Sequence, residues 1–292
     1  VADAGTSLRQ ALSAIASRLQ QAGIERARAE ARLLAAQALG VKLETVVGED
    51  ARVLTADEML RLEALAARRG RREPMAQILG QREFFGRDFR VTADVLTPRP
   101  DSETLIEAVL AQVPDRSAPL RLLELGVGSG CLLLTLLAEL PNARGTGVDI
   151  SPAALAVTKE NAIALGLAAR CALVEGDWSR VVEGRFDIVL SNPPYIPSHE
   201  IDRLEPEVAR YEPRLALDGG DDGLLFYRRL AADLQRLLVG GGLVAVEIGQ
   251  GQGSAVGRLF QEAGLRLLPA RADLAGIERC ILARAPVVEK SA

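Results

Sequence analysis

The chain is 292 residues long, with 48% hydrophobic and 25% charged residues, proportions that exclude disordered, collagen-like and fibrous classes. No apolar run approaches the roughly 18 residues of a membrane helix, and the first residues show neither the basic nor the apolar stretch of a secretory leader, so a cytoplasmic protein with no membrane partner is expected. The formal net charge of −4 is uneven: residues 1–100 hold 16 Lys and Arg against 13 Asp and Glu, and residues 101–292 hold 19 against 26, which leaves no strongly basic domain to argue for direct nucleic-acid binding.

From Ser7 to about Leu79 apolar residues recur at helical spacing, as in Leu8, Leu12, Ile15 and Leu19 and again in Met59, Leu62 and Leu65. Ser7 with Gln10, and Thr55 with Glu58, have the spacing of capping boxes, and Gly23, Gly40 and Gly70 stand where helices should stop. Residues 1–80 therefore read as a small helical bundle. Near its end Arg68, Arg69, Arg71 and Arg72 form a basic cluster with two readings: a solvated helix C-terminus complementing the dipole, or a docking patch for an acidic partner.

Residues 81–97 read as a hairpin linker, with Phe84, Phe85, Phe89, Val91 and Val95 around Gly86-Arg87-Asp88. Hairpin packing accounts for the three aromatics, and so would an aromatic lid over a neighbouring pocket. Beyond Asp101 the pattern alternates between strands and helices. Strands are predicted near 121–125, 145–150, 172–175, 187–190, 243–248, 266–269 and 277–283, the last pair joined by a turn at 272–276 as an antiparallel edge. Such alternation predicts a doubly wound sheet over 98–285, taking its ligand at the carboxyl ends of the strands, before a loose tail at 286–292. Cys131, Cys171 and Cys280 are spaced too widely for a zinc site and read as small buried hydrophobes in a reducing compartment. The single histidine, His199, stands in a Pro-rich loop and gives a Ser-His-Asp or Cys-His mechanism little support.

The first of these strands ends in Glu124-Leu125-Gly126-Val127-Gly128-Ser129-Gly130 and runs into an apolar helix, so a glycine turn would bring a ligand to the backbone at a helix N-terminus. A dinucleotide fingerprint wants its third glycine one position later, where Cys131 stands. Asp149 ends the second strand, 19 residues after Gly130, and its carboxylate can accept both hydroxyl protons of a ribose. Ser151-Pro152 behind it supply a helix cap. The third strand delivers Gly176-Asp177-Trp178: a carboxylate for an adenine amino group and an indole to pack on the ring, with core packing of the Trp as the alternative.

The fourth strand ends in Ser191-Asn192-Pro193-Pro194-Tyr195. Two prolines that merely terminate a strand are the bland reading. The chemical reading begins from the amide or exocyclic amine nitrogen, a poor nucleophile whose lone pair is delocalised and whose two N–H protons are what an enzyme can grip. Asn192 offers a side-chain carbonyl, Pro193 a backbone carbonyl and Tyr195 a flat wall. Two acceptors would hold the nitrogen facing a methyl donor, so positioning and electrostatics do the work and no strong base is required.

The acidic-x-Gly-x-Gly-x-Gly spacing of Glu124–Gly130 resembles the first motif of S-adenosylmethionine-dependent methyltransferases. Asn192-Pro193-Pro194-Tyr195 resembles the motif of amino-directed methyltransferases that act on DNA adenine or cytosine, on RNA bases and on protein glutamine. The wider chain chooses among them. Phe84-Phe85-Gly86, Pro98-Arg99-Pro100-Asp101-Ser102-Glu103, Glu207-Val208 with Tyr211-Glu212-Pro213, Ala216-Leu217-Asp218-Gly219-Gly220, Asp222-Gly223-Leu224, Asp273-Leu274-Ala275-Gly276 and Glu278-Arg279 are similar to signatures of the HemK/PrmC family, the protein-(glutamine-N5) methyltransferases of peptide chain release factors.

That resemblance spans essentially the whole chain. It implies an α/β fold with a Rossmann-like, seven-stranded class I methyltransferase domain, preceded by an all-α bundle that docks the protein substrate. It implies methylation of the glutamine in the Gly-Gly-Gln motif of class I release factors, with S-adenosylmethionine as cofactor, S-adenosylhomocysteine as product and no metal. By it Gly126, Val127, Gly128, Ser129, Gly130, Asp149 and Trp178 bind the cofactor, grouped with Asp177 and Asn192. Asn192, Pro193, Pro194 and Tyr195 hold the glutamine amide, with Asn192, Pro193 and Tyr195 catalytic. Arg99, Glu124 and Glu247 have no assigned role beyond shaping the pocket, and Cys131 departs from the family's small or apolar residue. The rival enzyme, a nucleic-acid amino methyltransferase, would need base flipping, a recognition domain and a basic groove. A non-enzymatic adaptor on a degenerate cofactor fold is opposed by the intact glycines, Asp149 and Asn192.

Overall fold

The computed structural model describes residues 6–48 and 51–287. They divide into two compact units, one built from the chain up to Gly80 together with Glu205–Tyr211, the other from Gln81–Leu204 and the chain from Glu212 onward. The first unit holds α1 (Leu8–Gln21), α2 (Ala27–Leu39), α3 (Leu43–Gly48), α4 (Ala56–Gly70) and α5 (Met75–Leu79). Both capping boxes form: Ser7 Oγ accepts the Gln10 N–H at 3.3 Å and Thr55 Oγ1 that of Glu58 at 3.2 Å, while Gln10 and Glu58 reach back to the cap N–H groups at 3.0 and 2.9 Å. The apolar stripes of α1, α2 and α4 meet in a core of Leu8, Ile15, Leu19, Leu34 and Leu62.

Gly40 closes α2 in the left-handed region (φ +66°), but α4 ends otherwise. Gly70 is still helical, and the left-handed residue is Arg72 (φ +70°), a conformation that costs a residue with a side chain about 1–2 kcal/mol. What holds it there is its own guanidinium. Arg72 donates to the carbonyl of Gly23 at 2.9 Å and to Glu207 at 2.7 Å. Arg69 is buried between Glu30 at 2.6 Å and Glu207 at 2.8 Å, and Arg68 pairs with Glu73. Burial alone would raise the Glu207 carboxyl; hydrogen bonds from Arg72 and Arg69 outweigh it and hold it below its ordinary value. Neither reading of the basic cluster holds as stated: its acidic partner is Glu207 of the same chain, and only Arg71 of the four stays exposed.

The second unit opens with an antiparallel hairpin, β1 (Gln81–Phe84) and β2 (Arg87–Arg90). Phe85 and Gly86 at its turn both take positive φ (+51° and +72°), the mark of a two-residue type I′ turn. Phe84 and Phe89 are buried edge to face, 6.2 Å apart, and Phe85 packs on the same core. None lines the cleft described below, so hairpin packing accounts for these aromatics and the lid does not form.

Next come α6 (Glu103–Leu110), β3 (Arg121–Leu125), α7 (Cys131–Glu139), β4 (Arg144–Asp149), α8 (Pro152–Ala164), β5 (Cys171–Glu175) and β6 (Phe186–Ser191). Then follow in chain order α9 (Pro206–Tyr211, the helix that carries Glu207 and belongs to the first unit), α10 (Leu225–Leu237), β7 (Leu238–Glu247), α11 (Gly253–Glu262), β8 (Arg266–Leu267), β9 (Arg271–Ala272) and β10 (Glu278–Arg284). The strands run β5-β4-β3-β6-β7-β10-β8, parallel up to β7, with β10 antiparallel and β9 also paired to it. The sheet therefore has eight strands where seven are expected. The returning stretch splits into two short pieces, and the register slips between Glu278 and Cys280 where β9 pairs.

Successive strand residues face opposite cores: Leu122, Ile188 and Ala245 pack under α6 and α7, whereas Leu123, Val189 and Val244 pack under α10 and α11. Chain order reverses around β3, which puts a crevice at the carboxyl ends of β3 and its neighbours. Among the described residues no helix is long and apolar enough to cross a membrane. Of the tail read at 286–292, all but Pro286 and Val287 lies outside the described residues.

Candidate active site

A cleft of about 360 Å³ opens at that crevice. Gly126, Val127, Gly128, Ser129, Asp149, Asp177, Trp178, Asn192 and Pro194 line it; Gly130, Pro193 and Tyr195 do not. Gly126 and Gly128 take positive φ (+74° and +54°), and a Cβ on either would meet open space. Gly130 is required for a different reason. It starts α7 at φ +80°, and a Cβ there would come within 2.7 Å of Thr158 Cγ2 and 3.0 Å of Leu134 Cδ1.

Asp149 ties the glycine turn to the second strand of the motif. Its Oδ2 accepts the Gly128 N–H and its Oδ1 the Ser151 N–H, both at 2.9 Å, while Ser151 Oγ caps α8 through the Ala154 N–H. A carboxylate has about four acceptor positions, so two remain. At the next strand end Trp178 is 7% exposed, sits at φ +66° and packs on Phe226 with centroids 5.0 Å apart. Its indole Nε1 is buried and has no hydrogen-bond partner among the described residues. The Arg229 guanidinium lies 5.8 Å from the indole centroid and donates to Asp177 Oδ1 at 2.8 Å. Asp177 therefore already shares one oxygen with Arg229. Phe226 and Arg229 escape sequence reasoning because α10 reads only as an amphipathic helix.

Two buried carboxylates stand close to these residues: Glu124 lines the cleft, and Glu247 lies behind Ser102, which lines it. Glu124 accepts the Leu133 N–H in the first turn of α7 at 2.9 Å, and burial pushes its carboxyl well above the ordinary range. Glu247 closes β7. Ser191 on β6 pairs with Val246 on β7, so the next residues, Asn192 and Glu247, leave adjacent strand ends together. Ser102 bridges them: its hydroxyl donates to Glu247 Oε2, and Asn192 Nδ2 lies 3.4 Å from Ser102 Oγ. Burial pushes the Glu247 carboxyl up to about 7, against the pull of Ser102, Arg279 and the Asn192 amide. Ser102 belongs to the Pro98–Glu103 signature, but nothing local pairs it with a residue 145 positions away.

The Asn192–Tyr195 turn is braced from behind. Gln252 donates to the Tyr195 carbonyl at 3.0 Å, and the next residue, Ile196, donates its backbone N–H to the Leu217 carbonyl at 3.0 Å and accepts the Gly219 N–H at 2.8 Å. A Cβ at Gly219 would meet the Pro194 carbonyl and Tyr195 Cα at 2.8 Å, which explains glycine there. Burial pushes the Tyr195 phenol up to about 12, so it stays neutral. At the rim Arg99 pairs with buried Glu212 at 2.7 Å. Cys131 lines the cleft with its thiol pushed by burial to about 12, and His199 is an exposed loop residue. The Cys131 thiol is therefore not ionised at neutral pH, and His199 does not line the cleft.

Residues 10–80 match the PrmC N-terminal domain, and residues 101–209 match the methyltransferase small domain. The release factor glutamine methyltransferase of Rhodospirillum rubrum is 51% identical over 267 residues, covering 91% of this chain and 82% of that protein. That of Caulobacter vibrioides is 46% identical over 277 residues, covering 94% and 96%. The hMettl16 catalytic domain superposes with a TM-score of 0.56 at 14% identity, covering 82% of this chain and 85% of its own. A Pyrococcus furiosus methyltransferase gives 0.52 at 17%, covering 70% and 91%. These two likenesses speak to the fold alone. Identity at this level along nearly the whole length establishes that the chain belongs to the release factor glutamine methyltransferase family.

Proposed function

We propose that this protein methylates the side-chain amide nitrogen (N5) of the glutamine in the Gly-Gly-Gln motif of class I peptide chain release factors, in the cytoplasm, using S-adenosylmethionine and modulating translation termination. The observation that carries the reading is the state of Asn192. It lines the cleft with its NH₂ turned to Ser102, and among the described residues no protein donor meets its Oδ1. A carbonyl kept open in this way is what an amide N–H needs.

The donor set fits the cofactor. Asp149 keeps two acceptor positions for a ribose diol, Trp178 and Phe226 offer flat apolar faces for adenine, and the unpartnered Trp178 Nε1 is a donor for a ligand acceptor. When bound, S-adenosylmethionine supplies a methyl group activated by its sulfonium. The chain's own part is orientation. Asn192 Oδ1 and the Pro193 carbonyl would each accept one amide N–H, and neutral Tyr195 would wall the planar group. The nitrogen would gain the methyl as the sulfur–methyl bond breaks with its electron pair left on the S-adenosylhomocysteine sulfur, and would shed one proton to water, so that positioning and not a strong base carries the step. The helical unit is the proposed docking element for the release factor, through a face other than the basic cluster, which Glu207 already occupies.

Methyl-labelled S-adenosylmethionine incubated with the protein and either a release factor or duplex DNA tests the substrate class. Label in the release factor is expected. Label in DNA alone would overturn the proposal in favour of a nucleic-acid amino methyltransferase.

A further inference from the structure

We propose that Glu247, acting through Ser102, is a positioning residue that decides which end of the Asn192 amide is offered to the substrate. The proposal rests on the reading above, in which Asn192 Oδ1 accepts an amide N–H. An asparagine amide is nearly symmetric in shape, and turning it over exchanges an acceptor for a donor at the same point in space. Something must therefore select the orientation, and the groups behind Asn192 form a chain that does so.

The selection follows from counting protons. An ionised Glu247 can only accept, so the one Ser102 hydroxyl proton is spent on it. Ser102 Oγ then presents only lone pairs toward Asn192, and the only amide end that can use them is Nδ2, found 3.4 Å away. Oδ1 is left facing the cleft. The parallel pairing of Ser191 with Val246 sets the spacing, and the helical turn at 100–102 presents Ser102 from a third element.

Protonation of Glu247 removes the selection. A neutral carboxyl can donate to Ser102, whose own proton then becomes available to Asn192 Oδ1, and the amide can turn its NH₂ to the substrate. Burial pushes the Glu247 carboxyl up to about 7, so this change falls near neutrality. The charged and titratable groups around it are Asp101 and Arg279, which pair with each other at 3.0 Å, and Tyr195, Tyr227, Cys131 and Cys280. Both tyrosines and both cysteines are pushed upward and stay neutral through this range, and Arg279 stays charged. Tyr227 donates to the Glu247 backbone carbonyl and not to its carboxylate.

The test compares single-turnover methyl transfer to a release factor across about pH 5.5 to 9 in the wild type, Glu247→Gln and Ser102→Ala. The wild-type rate should fall on acidification with an apparent pKa near 7, to about one-tenth of its plateau one unit below. Glu247→Gln cannot titrate and should give a flat profile with a plateau reduced about 5- to 50-fold, with cofactor affinity within about twofold of the wild type. Ser102→Ala should likewise lose the acid limb. Independently of activity, the side-chain ¹⁵N resonance of Asn192 should titrate near pH 7 in the wild type and stay fixed in Glu247→Gln. An acid limb that persists in both variants, or an Asn192 resonance that does not titrate, overturns the proposal even where Glu247→Gln fails to fold. Asn192→Ala separates the two levels. Full activity in that variant removes the reading of Asn192, whereas an inactive Asn192→Ala beside a Glu247→Gln with wild-type rate and profile removes the positioning role alone.

Discussion

Replacing Glu247 by Gln should make the protein more stable above neutral pH while making it a poorer catalyst. Glu247 is 2% exposed, and burial is the largest influence on a carboxyl that titrates near 7 instead of at its ordinary 4.5. Below the ordinary value both folded and unfolded chains hold the proton, and ionisation costs nothing. As pH rises toward 7 the unfolded chain releases the proton while the folded one keeps it, and stability falls by about 1.4 kcal/mol per pH unit. Above about 7 both states are ionised, and the accumulated loss of about 3 kcal/mol stays constant. A neutral Gln avoids that loss, so the two proteins should match near the acid end and differ by about 3 kcal/mol at about pH 8. Urea unfolding of both across the range measures this, because subtraction cancels the other titrating carboxylates, among them Glu124 and Glu212 (raised) and Glu207, Asp218 and Asp273 (lowered). A difference that does not change with pH would refute burial as the cause. Stability given up at a site that orients a reacting group is a familiar trade.

Asn192→Ala should cut single-turnover transfer about 10²-fold or more with cofactor affinity nearly intact, the scale of a lost preorganised contact; an unchanged rate would remove Asn192 from the chemistry. Asn192→Asp should be no milder than alanine at neutral pH, since its carboxylate would face Ser102 and Glu247 and two like charges cannot both ionise there; near-wild-type turnover would contradict the arrangement. Asp149→Ala should weaken S-adenosylmethionine binding by about 1.5–3 kcal/mol, and equal affinity by calorimetry would remove the ribose assignment. Glu207→Ala strips a partner from buried Arg69 and from Arg72 and should cost about 3 kcal/mol in chemical unfolding; a change below about 0.5 kcal/mol would mark the cluster as solvated after all.

The parts of this fold that are local in sequence are legible in it. Ser7 with Gln10, and Thr55 with Glu58, become reciprocal caps because a capping box needs only residues three apart. The cleft residues Gly126, Asp149, Trp178 and Asn192 are readable because each stands at or just past the carboxyl end of a strand, and parallel strands deliver those ends to one side of the sheet. What escapes reading depends on distant pairings. The basic cluster meets Glu207 135 residues from Arg72, Ser102 meets Glu247 145 residues away, and Asn192 stands beside Glu247 only once β6 and β7 are in register. Arg72 takes the left-handed position expected of Gly70 because its side chain, unlike a glycine, is anchored on the far side of the turn. Phe226 and Arg229 flank Trp178 through the rotation of α10, which periodicity does not set.

The identity of the methylated atom decides the central question. A release factor incubated with this protein and S-adenosylmethionine, then mapped by tandem mass spectrometry, should carry a single added methyl group on the side-chain nitrogen of the Gly-Gly-Gln glutamine. The same release factor with that glutamine replaced by alanine should carry none. Methyl on another residue, on an oxygen, or undiminished in the alanine substrate would contradict glutamine N5 as the acceptor.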